Sequence, residues 1–164
     1  RLVKAPGCDV NRATNNGATP AYIAAQNGHT AALALLVKAD CDVNKAKKNG
    51  ATPAFVAVEK GHTAALAILV KSGCDVNQAM KDGSTPAQLA AQNGHTAALE
   101  VLVKADCDVN QAANNGATPA YLAACNGHTA ALALLVKADC DVNKAKKNGA
   151  TPAFVAAEKG HTAA

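Results

Sequence analysis

NGATPAYIAAQNGHTAALALLVKADCDVN, residues 16–44, carries the start and stop signals of two short helices in a row. Gly17 suits a tight turn, Thr19 is placed to cap a helix, and Pro20 fits a first helical position, where its missing N–H costs nothing. The helix PAYIAAQN is then ended by Gly28. His29 and Thr30 make the reversal, with Thr30 available to cap the second helix. There Leu33, Leu36 and Val37 fall at i, i+3 and i+4, one apolar stripe. Lys38 lies near the helix C-terminus, where a cation suits the dipole. Asp40 stands where a left-handed residue ends a helix, as Gly does more readily. CDVN then leads into a polar turn.

The same reading applies along the whole chain. Gly17, Gly50, Gly83, Gly116 and Gly149 are spaced by 33 residues. Thr-Pro from Thr19, GHT from Gly28 and CDVN from Cys8 return on the same step. Four markers in one register are a repeat architecture rather than coincidence. A longer period is superimposed: residues 15–48 return at 114–147 with only Ile23/Leu122 and Gln26/Cys125 differing. Before each Cys stands Gly7, Asp40, Gly73, Asp106 or Asp139.

These units resemble the ankyrin repeat, which is 33 residues long with a T-P-L-H-x-A signature. The turn Gly, Thr-Pro, the Ala24-Ala25 pair, Gly28-His29 and the terminal Val43-Asn44 are retained. The Leu-His after Thr-Pro becomes Ala-Tyr, Ala-Phe or Ala-Gln, and the usual Gly-Ala before Asp-Val-Asn becomes mostly Asp-Cys. Tyr22, Phe55, Tyr121 and Phe154, with the Cys side chains, are expected to restore volume lost where Leu became Ala. The resemblance implies a mainly α fold: an ankyrin-type solenoid of stacked helix-turn-helix units with β-turn or hairpin fingers. The expected division is a partial repeat at 1–13, full repeats at 14–46, 47–79, 80–112 and 113–145, and a partial repeat at 146–164.

Composition agrees with thin, closely packed helices. Hydrophobic residues make up 49% of the 164, too many for a disordered tail, yet aromatics are only 2% and Trp is absent. No apolar run approaches the about 18 residues of a membrane span, and RLVKAPGCDV lacks the regions of a signal peptide. No membrane partner is therefore expected. The net charge of +4 argues only weakly for an acidic partner.

The repeated polar residues invite chemical readings that their regularity opposes. His29, His62, His95, His128 and His161 fill one place in successive units, so they should stand roughly 8–10 Å apart. Zinc requires ligand nitrogens about 2.0–2.1 Å from one centre, and a ladder does not converge in that way. Holding the helix-helix turn by hydrogen bonds is the expected role, with no metal. Cys8, Cys41, Cys74, Cys107 and Cys140 are likewise too widely spaced for disulfides, which need Cα atoms about 4.4–6.8 Å apart. They read as small buried apolar residues of a reducing, intracellular and cytoplasmic setting. Cys125 replaces Gln26 or Gln92 at a polar helix position, as an exposed thiol or by drift. Asp9, Asp42, Asp75, Asp108 and Asp141 form a ladder read as structural. An active site needs different groups meeting at one point; identical groups at intervals argue against an enzyme, and no cofactor is expected.

What remains is a surface. The ankyrin resemblance implies that a protein partner binds the concave side, made of finger tips and first helices. Carried over by position, the tips are Asn15-Asn16, Lys48-Asn49, Lys81-Asp82, Asn114-Asn115 and Lys147-Asn148. The first-helix ends offer Gln26, Glu59, Gln92 and Cys125, with Asn27, Lys60, Asn93, Asn126 and Glu158-Lys159 beside or equivalent to them. Lys45, Lys47 and Lys48, and again Lys144, Lys146 and Lys147, suggest contacts for an acidic partner; solubility is the competing explanation. Nucleic acid is not expected, since the patches lack interleaved aromatics. The resemblance also marks Asn44, Asn77, Asn110 and Asn143 as places where some ankyrin repeats are hydroxylated, although a structural role is the simpler reading.

The termini give a second function. RLVK matches the latter half of a second helix and the final GHTAA its beginning, and neither end shows the polar cap of a terminal repeat, so a piece of a longer array, natural or engineered, or further flanking residues are expected. The chain is one residue short of five times 33, so the tail of one molecule would meet the head of the next nearly in register. Head-to-tail self-association into a filament is the alternative to partner binding.

Overall fold

A computed structural model describes residues 8–161. Four helix pairs and a ninth helix follow one another: α1 Pro20–Gln26 with α2 Thr30–Val37, α3 Pro53–Glu59 with α4 Thr63–Lys71, α5 Pro86–Asn93 with α6 Thr96–Lys104, α7 Pro119–Cys125 with α8 Thr129–Lys137, and α9 Pro152–Lys159. No strand occurs among the described residues; the fingers are bare turns. The expected turns of Gly7 and the helix fragments RLVK and GHTAA lie wholly or partly outside the described residues.

Each first helix starts as its sequence predicts. Thr19, Thr52, Thr85, Thr118 and Thr151 are extended N-caps followed by Pro. Their hydroxyl oxygens accept from the backbone N–H three residues on, at 3.1 Å for Tyr22 and Phe55 and 3.2 Å for Tyr121. Each such cap is worth about 1 kcal/mol. The second helices start differently. His29 and its equivalents take the N-cap position without a side-chain bond, and Thr30 is already inside the helix. Where Thr30 has a bonded counterpart, Thr96 Oγ1 donates back to Gly94 O at 3.4 Å. Thr30 is therefore not the cap that the sequence suggests, because the chain turns into the helix one residue earlier.

The ends of the second helices follow expectation. Asp40, Gly73, Asp106 and Asp139 all have positive φ, between 55° and 77°, the conformation in which L-residues are strained and Gly is not.

Helices stack in two layers. The first helices bury Ala21, Ala25, Ala57, Ala90 and Ala123, and the second helices bury Leu33, Leu66, Leu69, Leu99, Leu102 and Leu135. Small side chains allow the first helices to pack more closely than the second. Tyr22, Phe55 and Tyr121 are buried, filling the volume expected of them, but Phe154 is 60% exposed. The cysteines are less uniform than predicted: Cys41 and Cys107 are buried, Cys74 and Cys140 half-buried, and Cys8 exposed.

The polar ladders hold consecutive units together. Three of the imidazoles reach back to the preceding unit rather than bracing their own turns. His95 Nδ1 lies 2.9 Å from Val58 O, His128 Nε2 3.0 Å from Gln92 O, and His161 Nε2 3.2 Å from Cys125 O. A carbonyl only accepts, so each of these nitrogens carries the proton. Gly94 makes room: a Cβ there would lie 2.7 Å from His128 Nδ1. Asn11, Asn44, Asn77 and Asn110 of the Val-Asn pairs accept from the next unit, Asn44 Oδ1 from Asp75 N at 2.8 Å and Asn110 Oδ1 from Asp141 N at 2.7 Å. The Asp residues close local turns, as when Asn44 N donates to Asp42 Oδ1 at 2.9 Å.

Candidate functional site

The fingers are tied to one another by their backbones, which leaves most of their side chains to solvent. Lys47 N donates to Ala51 O and Gly50 N to Lys47 O, closing one turn. Its neighbours are reached through Lys48 N to Asn16 O and Lys81 N to Asn49 O, both 3.1 Å. Asn114 N to Asp82 O at 3.0 Å and Lys147 N to Asn115 O at 3.3 Å continue the ladder. A rigid row of turns results, with Asn15, Asn16, Lys48, Asn49, Lys81, Asp82, Asn114, Asn115, Lys147 and Asn148 exposed along it.

Some of these side chains have structural tasks. Asn16, Asn49, Asn115 and Asn148 accept from the backbone N–H two residues on, Asn49 from Ala51 N at 3.1 Å. Asp82 does the same for Ser84 N at 2.9 Å. Asn114 Nδ2 donates to Lys81 O at 3.1 Å. Asn15, Lys48, Lys81 and Lys147 have no side-chain hydrogen bond among the described residues and project from the tips.

The first-helix ends lie beside this row. Glu59 and Gln92 are exposed, while Gln26 and Cys125 are half-buried. Cys125 is thus less open than its place on a polar helix face suggests. Burial, and then the Glu59 carboxylate, holds the Tyr22 phenol above its ordinary range.

The two lysine clusters are partly occupied within the chain. Lys45 Nζ donates to Asn11 O at 3.1 Å and Lys144 Nζ to Asn110 O at 2.9 Å. Lys47 Nζ sits 5.1 Å from the centre of the Tyr22 ring, and Lys146 Nζ lies at the same distance from Tyr121, a cation–π geometry. Lys48 and Lys147 are the two of the six with no such contact among the described residues.

Four of the predicted residues come together. Glu59, Asp82, Gln92 and Asn115 line one cavity of about 320 Å³ between fingers and first helices. Its apolar lining includes Phe55, Met80, Leu89 and Leu122. Behind them Gln88, 2% exposed, closes a capping box with Thr85 and donates through Nε2 to Gln111 O at 2.7 Å and Ala117 O at 3.1 Å. Asn15, Asn16, Gln26, Lys48, Asn49, Lys81, Asn114, Cys125, Lys147 and Asn148 lie outside that cavity. Sequence reasoning missed Phe55, Met80, Ser84, Gln88 and Leu89 as parts of a common surface. The available signal was that residues 82, 84 and 88 break the repeat pattern together. Among the described residues no three His, Cys, Asp or Glu side chains are grouped to hold a metal ion, and no helix is long and apolar enough to cross a membrane.

The family model for ankyrin repeats (3 copies) matches residues 1–80, 73–146 and 88–164. No curated protein matches the chain.

Proposed function

The chain belongs to the ankyrin-repeat family, and from that premise we propose that it binds a protein partner across its finger tips and first helices, without catalysis. Ankyrin repeats are in general protein–protein interaction modules. The observation that carries the reading here is the division of labour in the fingers. Backbone groups are consumed by the inter-finger ladder, while Asn15, Lys48, Lys81 and Lys147 project from the tips at one repeat position, which holds Asn in some units and Lys in others. Preorganisation of this kind lowers the entropy cost of binding.

The acidic partner envisaged from the lysine clusters rests on Lys48 and Lys147. An intracellular setting is supported by six free cysteines. Competition binding tests the main reading. Peptides selected from a random display library against the whole chain should lose at least about tenfold in affinity (about 1.4 kcal/mol) on Lys48→Glu with Asn115→Arg. Lys71→Glu with Lys104→Glu, on the second helices, should leave binding unchanged. The reverse pattern overturns the reading.

A second reading, end-to-end stacking, is supported by exposed apolar side chains on opposite ends of the described stack: Leu35, 52% exposed, and Ile23 on one, Phe154 and Val136 on the other. Mass that climbs with concentration in light scattering favours it; a constant monomer mass removes it.

A further inference from the structure

The cavity beside Gln88 is a slot that the chain fills with its own lysine elsewhere. Tyr22 is covered by Lys47 and Tyr121 by Lys146, in each case from the following finger. The residue that stands in the lysine's place after Gln88 is Ala113, and Gln88 itself replaces the aromatic ring. Ala113 has no side chain to reach across, and Gln88 is drawn inward by its bonds to Gln111 O and Ala117 O. The space occupied elsewhere by a lysine stem is left as the cavity of about 320 Å³, with Phe55, Leu89 and Leu122 on its walls.

Its rim is acidic. Asp82 replaces the Asn found at this place in the four other fingers, and Glu59 faces the same cavity. Glu59 already lies 3.6 Å from Lys60 Nζ. Asp82 is in no ion pair among the described residues, where the pairs are Lys60–Glu59 and Lys104–Glu100.

We propose that this slot takes a lysine or arginine side chain of the protein partner. The inference rests on the partner-binding reading above and names its anchor. The aliphatic stem lies against Phe55 and Leu89, as long cationic side chains cover apolar surface while their heads stay at water. The charged head meets Asp82 and Glu59 at the mouth. Lys81, exposed on the same tip, opposes the incoming charge and trims the affinity.

Nitrogen-15-resolved NMR titration of the whole chain at low ionic strength tests this. The probes are acetyl-Ala-Arg-Ala-amide and its norleucine and glutamate counterparts. The arginine peptide should shift the amides of Ser84, Leu89, Gln92 and Asn115 saturably. The norleucine peptide should bind at least about fivefold more weakly, and the glutamate peptide should leave these amides unmoved. Asp82→Asn should weaken the arginine peptide about fivefold without affecting the norleucine one. Its fold is safe, since Asn49 and Asn115 hold the same turn in their own fingers. Ala113→Lys, which copies Lys47 and Lys146, should fill the slot from within and abolish the shifts.

Equal binding of the arginine and norleucine peptides, shifts scattered over the surface, no shifts at all, or an inert Ala113→Lys overturns the proposal. If it falls while library-selected peptides still respond to the finger-tip substitutions, the partner-binding reading stands without this anchor.

Discussion

Asn77 and Asp108 are joined across 31 residues of sequence: Asn77 Oδ1 accepts the backbone N–H of Asp108 at 2.7 Å. Asp108 Oδ1 in turn accepts from Asn110 N at 2.8 Å, and Asn110 Oδ1 from Asp141 N at 2.7 Å. This relay runs along the stack, so each link supports an interface between units. Asn77→Ala removes one acceptor at a half-exposed position, where water partly replaces it. It should cost about 1 kcal/mol, read as a lower urea midpoint with an unchanged slope.

The glycines between paired helices should differ in tolerance. Gly94 has φ +66°, and a Cβ there would meet His128 Nδ1 at 2.7 Å; at Gly61, φ +71°, the nearest atom is His95 Cε1 at 3.9 Å. Gly61→Ala carries left-handed strain alone, about 1–2 kcal/mol. Gly94→Ala carries that strain and also displaces the imidazole from Gln92 O, adding about 1 kcal/mol. Thermal unfolding should rank Gly94→Ala below Gly61→Ala.

Asp106 ends its helix at φ 55°, where the equivalent Gly73 has φ 77°. Replacing Asp106 by Gly relieves side-chain strain in the left-handed region and should stabilise the chain by roughly 0.5–1 kcal/mol. Asp106→Val, β-branched at the same φ, should destabilise it. Paired urea titrations check both signs.

Alkaline pH should weaken the fold through its thiols. Burial, with Asp75 beside it, pushes the Cys74 thiol up to about 11, and burial with Asp108 and Asp106 does the same to Cys107. Unfolded thiols ionise near about 8.5. The folded state therefore holds these protons more tightly. The resulting stability is complete below about pH 8.5 and is lost as pH rises through about 11. Urea midpoints should fall across that window, and less steeply in a Cys74→Ala, Cys107→Ala variant. The part of the native thiolate absorbance that Cys74→Ala with Cys107→Ala removes should appear only toward the top of the window.

Local features were legible in the sequence because neighbours in the chain decide them. Thr19-Pro20 sets its own cap, and Asp40 and Gly73 end helices by their own φ. Thr30 misled because a Thr before a helix and a Thr in its first turn look alike in sequence. His95 misled for another reason: its partner, Val58 O, belongs to the unit before. The uneven cysteine burial and the exposure of Phe154 likewise depend on what the next unit places above them. The candidate site was half legible. Glu59, Asp82, Gln92 and Asn115 follow from the family's concave surface, but nothing local shows that Gln88 and Ala113, 25 residues apart, jointly open a cavity. That juxtaposition is visible only when Tyr22–Lys47 and Tyr121–Lys146 are compared with it in space.

Amide hydrogen exchange of the whole chain, free and saturated with a library-selected peptide partner, tests whether a partner binds the face made of finger tips and first helices. Binding on that face adds protection in the finger turns and in α1, α3, α5 and α7, with α2, α4, α6 and α8 unchanged. Protection concentrated on the second helices, with the finger turns unchanged, would contradict it.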